Sequence, residues 1–138
     1  MRLNPYLRFD GQCADAFRFY ERVLGGKIEM MMRYGESPMA ADMPRESHER
    51  IMHCSMAVAG VSLMGADGPP DGCATETKNA AVMLGVDTPE EAERVFAALS
   101  EGGSSQMPMQ QTFWSKRFGM VTDRFGTPWM VNCEQAPE

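Results

Sequence analysis

Few side chains in this 138-residue chain are suited to chemistry. It has two histidines, the residue type whose charge changes most readily near neutral pH. His48 falls in a stretch without periodicity. His53 falls in a strand-like run, Arg50 to Val58, whose even positions (Met52, Cys54, Met56, Val58) are wholly apolar. Its odd positions are Ile51, His53, Ser55 and Ala57, so alternation turns His53 away from the face a helix would cover. A histidine placed there is either an acid–base group facing a pocket or a neutral core histidine bonded to a neighbour. Asp67 has a similar double reading, as the cap of a turn or as a carboxylate at a cavity rim. Met130, Asn132 and Glu134 share one face of the last strand, and Glu134 also reads as a solvated terminal residue. No G-x-S-x-G, H-E-x-x-H or P-loop is present, and no cysteine is marked as a nucleophile by its surroundings.

The densest aromatic stretch is Thr112 to Asn132, which holds both tryptophans and interleaves them with Lys116, Arg117, Asp123 and Arg124. Asp123-Arg124-Phe125-Gly126 is a turn signal between two alternating runs, so the stretch reads as a hairpin. Trp114 and Phe118 are candidate pocket walls, joined by Met120 and Asn132 as ligand-binding candidates, because small-molecule sites are mostly apolar with a few polar groups. Trp129 and Val131 alternate to the other face, so Trp129 is expected beneath a helix or at a dimer seam. Lys116 and Arg117 either attract an anionic ligand or are simply solvated.

The elements that must position these residues follow from periodicity. Leu3 to Phe9 alternates as a strand, with Leu3, Leu7 and Phe9 on one face and Asn4, Tyr6 and Arg8 on the other. Gln12 to Leu24 carries one apolar stripe (Cys13, Ala16, Phe17, Tyr20, Val23, Leu24), with Asp10 as the expected N-cap and Gly25-Gly26 as the stop. Lys27 to Tyr34 reads as a Met-rich strand. Gly35 to Glu49 is a long loop, Val61 to Ala66 a strand, and Asp67 to Asn79 a Gly/Pro/Asp-rich connection. Ala80 to Val86 is a strand, followed by a helix that Thr88 caps, with Pro89 at its first position and Glu91 completing a capping box. Ala92, Val95, Phe96 and Leu99 form its stripe, and Gly102-Gly103 stops it. Gln106 to Thr112, interrupted by Pro108, is an edge-strand candidate.

The order β-α-β-β-β therefore occurs twice, over roughly 1–67 and 80–138, within a single expected domain. The fold class is α+β, with two βαβββ modules forming curved mixed sheets. Each helix has one stripe and covers one sheet face, so the opposite faces are expected to curve around a cupped cavity or toward a partner chain.

Composition bounds the function classes. The net charge of −6 argues against a nucleic-acid partner. No apolar run reaches membrane-spanning length, no charged-then-apolar leader is expected, and a cytoplasmic location is the reading. The four cysteines (Cys13, Cys54, Cys73, Cys133) lack C-x-x-C spacing and read as reduced thiols. Fourteen methionines suit an adaptable core and a permissive apolar pocket alike.

The chain resembles the vicinal-oxygen-chelate superfamily of glyoxalases, extradiol dioxygenases and bleomycin- and fosfomycin-resistance proteins, and within it the PhnB-like (YjdN-like) branch. The residues that carry the resemblance are N-P-Y-L-R-F-D-G at 4–11, A-F-R-F-Y-E-R-V-L-G-G at 16–26 and I-M-H-C at 51–54. Leu63-Met64 before Asp67, T-F-W at 112–114 and F-G-M-V-T-D-R-F-G-T-P-W-M-V-N at 118–132 extend it to nearly the full chain. The resemblance implies a divalent metal as candidate cofactor, held by His and Glu side chains from both modules. His53 and Glu134 are the matching candidates. The first strand offers Asn4, Tyr6 and Arg8 instead, and the opening strand of the second module offers Ala81, Met83 and Gly85, so the ligand set is incomplete. It further implies His53 as candidate catalytic group, a ligand site including Tyr6 and Asp67, and a homodimer, which would also cover exposed sheet edges. Two functions stand: a metal-assisted enzyme of glyoxalase or dioxygenase type on a small oxygenated substrate, or a non-catalytic small-molecule-binding protein. The branch has carried a demethylubiquinone methyltransferase label. No Rossmann-type glycine-rich loop follows a strand, so that activity is not expected.

Overall fold

The stripe on the first helix is buried as its spacing requires. In the computed structural model, which describes residues 1–68 and 79–134, α1 runs from Cys13 to Leu24 and buries Cys13, Ala16, Phe17, Tyr20 and Val23. Phe19, off that stripe, is buried too, with the Arg22 guanidinium 5.6 Å from its ring centroid. Gly25 ends the helix in the left-handed conformation (φ 72°), where its N–H donates to the Glu21 carbonyl.

Four strands join α1 in the first of two compact units, Met1–Thr75. They are β1 (Tyr6–Phe9), β2 (Lys27–Arg33), β3 (Ile51–Val58) and β4 (Val61–Asp67), in the order β1-β4-β3-β2. β1 runs parallel to β4, and the other two pairings are antiparallel. α1 packs on one face over Phe9, Cys54, Met56 and Leu63, all of them buried. Contact is closest at Gly65 of β4, where an added Cβ would lie 2.7 Å from the Phe17 ring. β1 is shorter than its alternation predicts. Leu3 is exposed, and Asn4 takes the Ser62 N–H on its side chain, so backbone pairing with β4 begins at Pro5, whose carbonyl accepts from Met64.

The expected N-cap at Asp10 is not the one used. Gln12 occupies that position without a side-chain bond, and Asp10 pairs with Arg50. The carboxylate of Asp67 reaches back instead. Its Oδ1 accepts the N–H groups of Gly11 (2.8 Å) and Cys13 (3.0 Å), and its Oδ2 accepts that of Ile51 (2.8 Å). The 35–49 loop is likewise tied down. It folds into three short 3-10 turns (Tyr34–Glu36, Ala40–Asp42, Arg45–Ser47), with His48 Nε2 2.9 Å from the Ala40 carbonyl and Gly35 N–H on the His48 carbonyl. The Asp67–Asn79 connection, with Pro69, Pro70 and Cys73, falls outside the described residues from position 69 to 78.

The second unit, Glu76–Glu138, repeats the topology. Its strands are β5 (Val82–Val86), β6 (Ser104–Gln110), β7 (Ser115–Thr122) and β8 (Pro128–Glu134), in the order β5-β8-β7-β6. Its helix, α2 (Pro89–Ser100), starts as its capping residues dictate: the Thr88 hydroxyl accepts the Glu91 N–H at 3.1 Å, and Pro89 sits in the first turn. Ala92, Val95 and Leu99 are buried against the sheet, and β6 is an edge strand. Both sheets are open, mixed and four-stranded, and each carries one helix on one face. The fold is α+β.

Candidate functional site

The strand registers write out the face of the first sheet that α1 does not cover. One row across β1, β4, β3 and β2 reads Tyr6, Met64, Ser55, Met30, each the register partner of the next. In the adjacent row Arg8 is paired with Ala66 and His53 with Met32. Ala66 follows Gly65, the partner of Cys54, so it lies beside His53 and completes the row Arg8, Ala66, His53, Met32. Side chains two apart on a strand share a face, so all eight belong to one surface.

On that surface Tyr6 reaches diagonally over Ala66 to His53. Its hydroxyl lies 3.2 Å from His53 Nδ1, with the two ring centroids 5.8 Å apart. Partial desolvation, the largest cause, raises the Tyr6 phenol pKa above its ordinary 10.0, and the Arg8 charge opposes this more weakly. The phenol therefore keeps its proton at neutral pH, so its hydroxyl can donate to Nδ1 as well as accept from it. Bond direction and tautomer are linked: a neutral imidazole that accepts at Nδ1 carries its proton on Nε2, and one that donates from Nδ1 leaves Nε2 as the acceptor.

Asp67 does not join this surface. It is 2% exposed, and its three backbone N–H bonds occupy it on the α1 side of the sheet. Its earlier reading as a rim carboxylate gives way to that of the residue that closes the β1–α1 turn. The buried thiols of Cys13 and Cys54 lie on this same side and hydrogen-bond to each other. That bond first, burial second and the Asp67 charge third push the Cys13 pKa well above the usual thiol range.

In the second unit the face opposite α2 carries a methionine row: Met107, Met120, Met130 and Met83 are successive register partners across β6, β7, β8 and β5. Beside it Phe118 pairs with Asn132, which pairs with Gly85. Asn132 is buried and engaged, with its Oδ1 2.6 Å from the Ser115 hydroxyl. Phe118 is 4% exposed and supports Trp114, 48% exposed, in an edge-to-face contact at 5.6 Å. Phe113, fully outward, stacks edge-on against Trp114 at 4.7 Å. The accessible aromatic surface is therefore Phe113 and Trp114, with Phe118 behind them. Lys116 is exposed, whereas Arg117 is held by Glu93 of α2 and by the Met109 carbonyl. Trp129 packs on the α2 side of the sheet, with its indole N–H on Asp123 Oδ2 at 2.8 Å.

A divalent-metal centre needs several N and O donors converging on one point. Among the described residues, no three of His, Cys, Asp and Glu do so. The neighbours of His53 on its face are Tyr6, Ala66, Ser55 and Met32, with no carboxylate among them, and Glu134 is exposed at the end of β8. These residues do not fit a hard divalent ion.

Two βαβββ units, each an open mixed four-stranded sheet with one helix, define the vicinal-oxygen-chelate superfamily architecture. A glyoxylase/bleomycin resistance protein/dioxygenase domain from Frankia sp. EAN1pec, 11% identical with a TM-score of 0.68, shares that fold over 100% of this chain and 94% of its own. Residues 1–132 match the family described as 3-demethylubiquinone-9 3-methyltransferase, and the chain belongs to this PhnB/YjdN-like family. It is similar to protein YjdN of Escherichia coli, at 36% identity over 96% of this chain and 95% of that protein. The solved structure of PA1353 from Pseudomonas aeruginosa is 46% identical, with a TM-score of 0.89 and 99% of both chains covered. A Bacillus cereus structure described as a putative 3-demethylubiquinone-9 3-methyltransferase, PhnB protein, is 25% identical, with a TM-score of 0.82 over 96% of this chain and 99% of its own.

Reading the strands singly placed Tyr6 and His53 on open faces but did not bring them together. That required the strand order β1-β4-β3. It also left out Met30, Met32 and Met64 as neighbours of His53, and it placed Arg8 on the inward face of β1 without its partner Ala66.

Proposed function

We propose that this protein binds a small organic molecule on the sheet face that α1 leaves uncovered, with Tyr6 and His53 as its polar anchor and methionines as its wall. The observation that carries this reading is the Tyr6–His53 hydrogen bond, half-exposed and flanked by Met30, Met32 and Met64 on one sheet face. Thioether side chains adapt to varied apolar shapes, and the paired phenol and imidazole supply direction. The methionine row and Trp114 of the second unit are a further apolar surface of the same kind. The test is titration of [13C-methyl]methionine-labelled protein with a panel of small aromatic and aliphatic compounds. Saturable shifts of the Met30, Met32 and Met64 methyls that weaken in Tyr6→Phe and His53→Gln support the reading. A panel that leaves those methyls unmoved refutes it.

The Tyr6–His53 bond also supports a second, catalytic reading. An imidazole whose Nδ1 is braced and whose Nε2 has no partner among the described residues has the arrangement of an oriented general acid–base group. In that reading His53 moves a proton at Nε2 and Tyr6 orients it. Methyl transfer is not part of the proposal. The β1–α1 turn, where a dinucleotide loop would open toward a ligand, is filled here by the Asp67 carboxylate. No helix among the described residues is long and apolar enough to cross a membrane. A cytoplasmic homodimer remains part of the proposal, to be checked by light scattering. It is supported by the edge strands of each sheet and by exposed Leu3, Val61, Phe113 and Trp114.

A further inference from the structure

The face of the second sheet opposite α2 carries one side-chain type across its full width. Met107, Met120, Met130 and Met83 are successive register partners on β6, β7, β8 and β5, so a methionine stands on each strand at the same level. The row survives an irregularity in β6. A register shift between Met107 and Gln110 turns Met109 to the α2 side, where its sulfur and the Phe96 ring crowd Gly119, and it leaves Met107 beside Met120. None of the four is buried, and Met83 is 53% exposed. The rows on either side carry no charged residue: Ser104, Thr122 and Pro128 on one, Gln110, Phe118 and Asn132 on the other. Thr122 bonds to Gln106 and Asn132 to Ser115, so the donors offered at this level are thioether sulfurs.

We propose that this row is a site for one soft monovalent cation, Cu(I) or its chemical analogue Ag(I), centred on Met120 and Met130 with Met107 and Met83 flanking them. A thioether is an uncharged, soft donor that selects Cu(I) and is passed over by the hard ions that carboxylates hold. Neighbouring strands are about 4.8 Å apart. Two sulfurs on opposite sides of one ion are about 4.6 Å apart when each metal–sulfur bond is about 2.3 Å, as for zinc and thiolate. Adjacent methionines of the row are therefore spaced to share an ion without a change in the sheet, and their three rotatable bonds let the outer side chains lean in. The net charge of −6 adds a long-range attraction for a cation. The site lies on a different sheet from Tyr6 and His53 and does not depend on the small-molecule function assigned to them.

The experiment uses protein labelled with 13C at the methionine methyls, its accessible thiols first alkylated with iodoacetamide. It is titrated with silver nitrate in chloride-free buffer and, separately, with zinc nitrate. Silver is expected to shift the methyls of Met107, Met120, Met130 and Met83 and to saturate at one ion per chain, while zinc leaves them in place. Cu(I) supplied under ascorbate is expected to give the same shifts. Leucine matches methionine in volume, so Met120→Leu with Met130→Leu is expected to keep the melting temperature of the metal-free protein. That double variant is expected to bind silver about tenfold or more weakly, since even loss of a residue that only supports a metal ligand costs that much. Unmoved methyls in the row, equal shifts with zinc, or silver confined to Met30, Met32, Met64 or the cysteines overturns the site. That readout comes from the unsubstituted protein, so it stands whether or not the double variant folds. Undiminished binding by the folded double variant overturns the site as well.

Discussion

Replacing Asp67 by Asn is expected to unfold the first unit more readily while changing almost no volume. In the native chain the two carboxylate oxygens accept three backbone N–H groups, from Gly11, Cys13 and Ile51, at 2.8 to 3.0 Å and with 2% of the residue exposed. An amide has one acceptor oxygen, so whichever way it turns, its NH2 group faces at least one N–H that it cannot satisfy. Leaving a buried donor unsatisfied costs about 1–3 kcal/mol, and bonds to a charged acceptor are the stronger kind, so Asp67→Asn is expected to cost about 2–3 kcal/mol. Asp67→Ala strands all three donors and is expected to cost about 4 kcal/mol, a large share of the stability of a typical domain. Urea denaturation followed by far-UV circular dichroism measures both, with the midpoint shifting and the slope retained. A loss below about 0.5 kcal/mol in Asp67→Asn, within the range of ordinary surface substitutions, refutes the assignment of Asp67 as the anchor of the β1–α1 turn and of the start of β3.

Three further outcomes are expected. Gly65→Ala places a Cβ 2.7 Å from the Phe17 ring and 2.9 Å from the Leu7 carbonyl. It is expected to cost about 2 kcal/mol in the same urea assay through overpacking; an unchanged midpoint would show that α1 is free to lift. Tyr6→Phe removes the hydroxyl partner of His53 Nδ1, so the imidazole 15N shifts, which report the tautomer balance, are expected to change. The same tautomer balance in both proteins contradicts the bond. For Cys13, the folded pKa is raised above the ordinary 9.0 by its bond to Cys54, by burial and by Asp67. The stability this thiol contributes is therefore fully present below pH 9 and declines above it, because the unfolded chain ionises first. The same bond lowers the Cys54 pKa, which acts in the opposite direction, so the test uses the Cys54→Ala background, where burial and Asp67 still raise Cys13. Denaturation between pH 8 and 9.5 is expected to show a steeper loss with Cys13 present than with Cys13→Ala added, and parallel slopes would dismiss the effect.

Local chemistry was legible in the sequence, and long-range bonding was not. The stripe of α1 and the Thr88–Pro89 start of α2 depend on neighbours three or four positions away, so spacing alone places them. The Asp123 turn is of the same kind: its Oδ1 accepts from Phe125 and Thr127, two and four positions on. Asp67 is the opposite case. Two of its donors lie 54 and 56 positions earlier, and nothing in the local pattern distinguishes such an anchor from a rim carboxylate. Asp10 looked like the cap because it stands at the right distance from the helix, yet Arg50, 40 positions later, claims it. The same limit applied to the site. Alternation put Tyr6, Arg8 and His53 on open faces, but their proximity depends on β4 lying between β1 and β3, an order that no single strand reveals.

The repeated topology does not repeat the chemistry, and the difference lies in which residues occupy equivalent rows. Each unit uses a buried aspartate to fasten backbone on the helix side of its sheet. Asp67 does so from the end of β4 toward α1, and Asp123 from the β7–β8 turn toward Trp129. Each unit also leaves its opposite face without a helix. In the first, that face carries Tyr6 hydrogen-bonded to His53, with Arg8 at the register position beside Ala66. In the second, the corresponding surface is a row of four methionines beside Phe118, and its one buried amide is already held by Ser115. Polar side chains on the uncovered faces are therefore concentrated on β1 and β3, while that of the second sheet is mainly apolar. On the proposed function, a substitution that weakens binding by removing a hydrogen bond is expected at Tyr6 or His53, and one that changes which apolar bodies are accepted at Met30, Met32 or Met64.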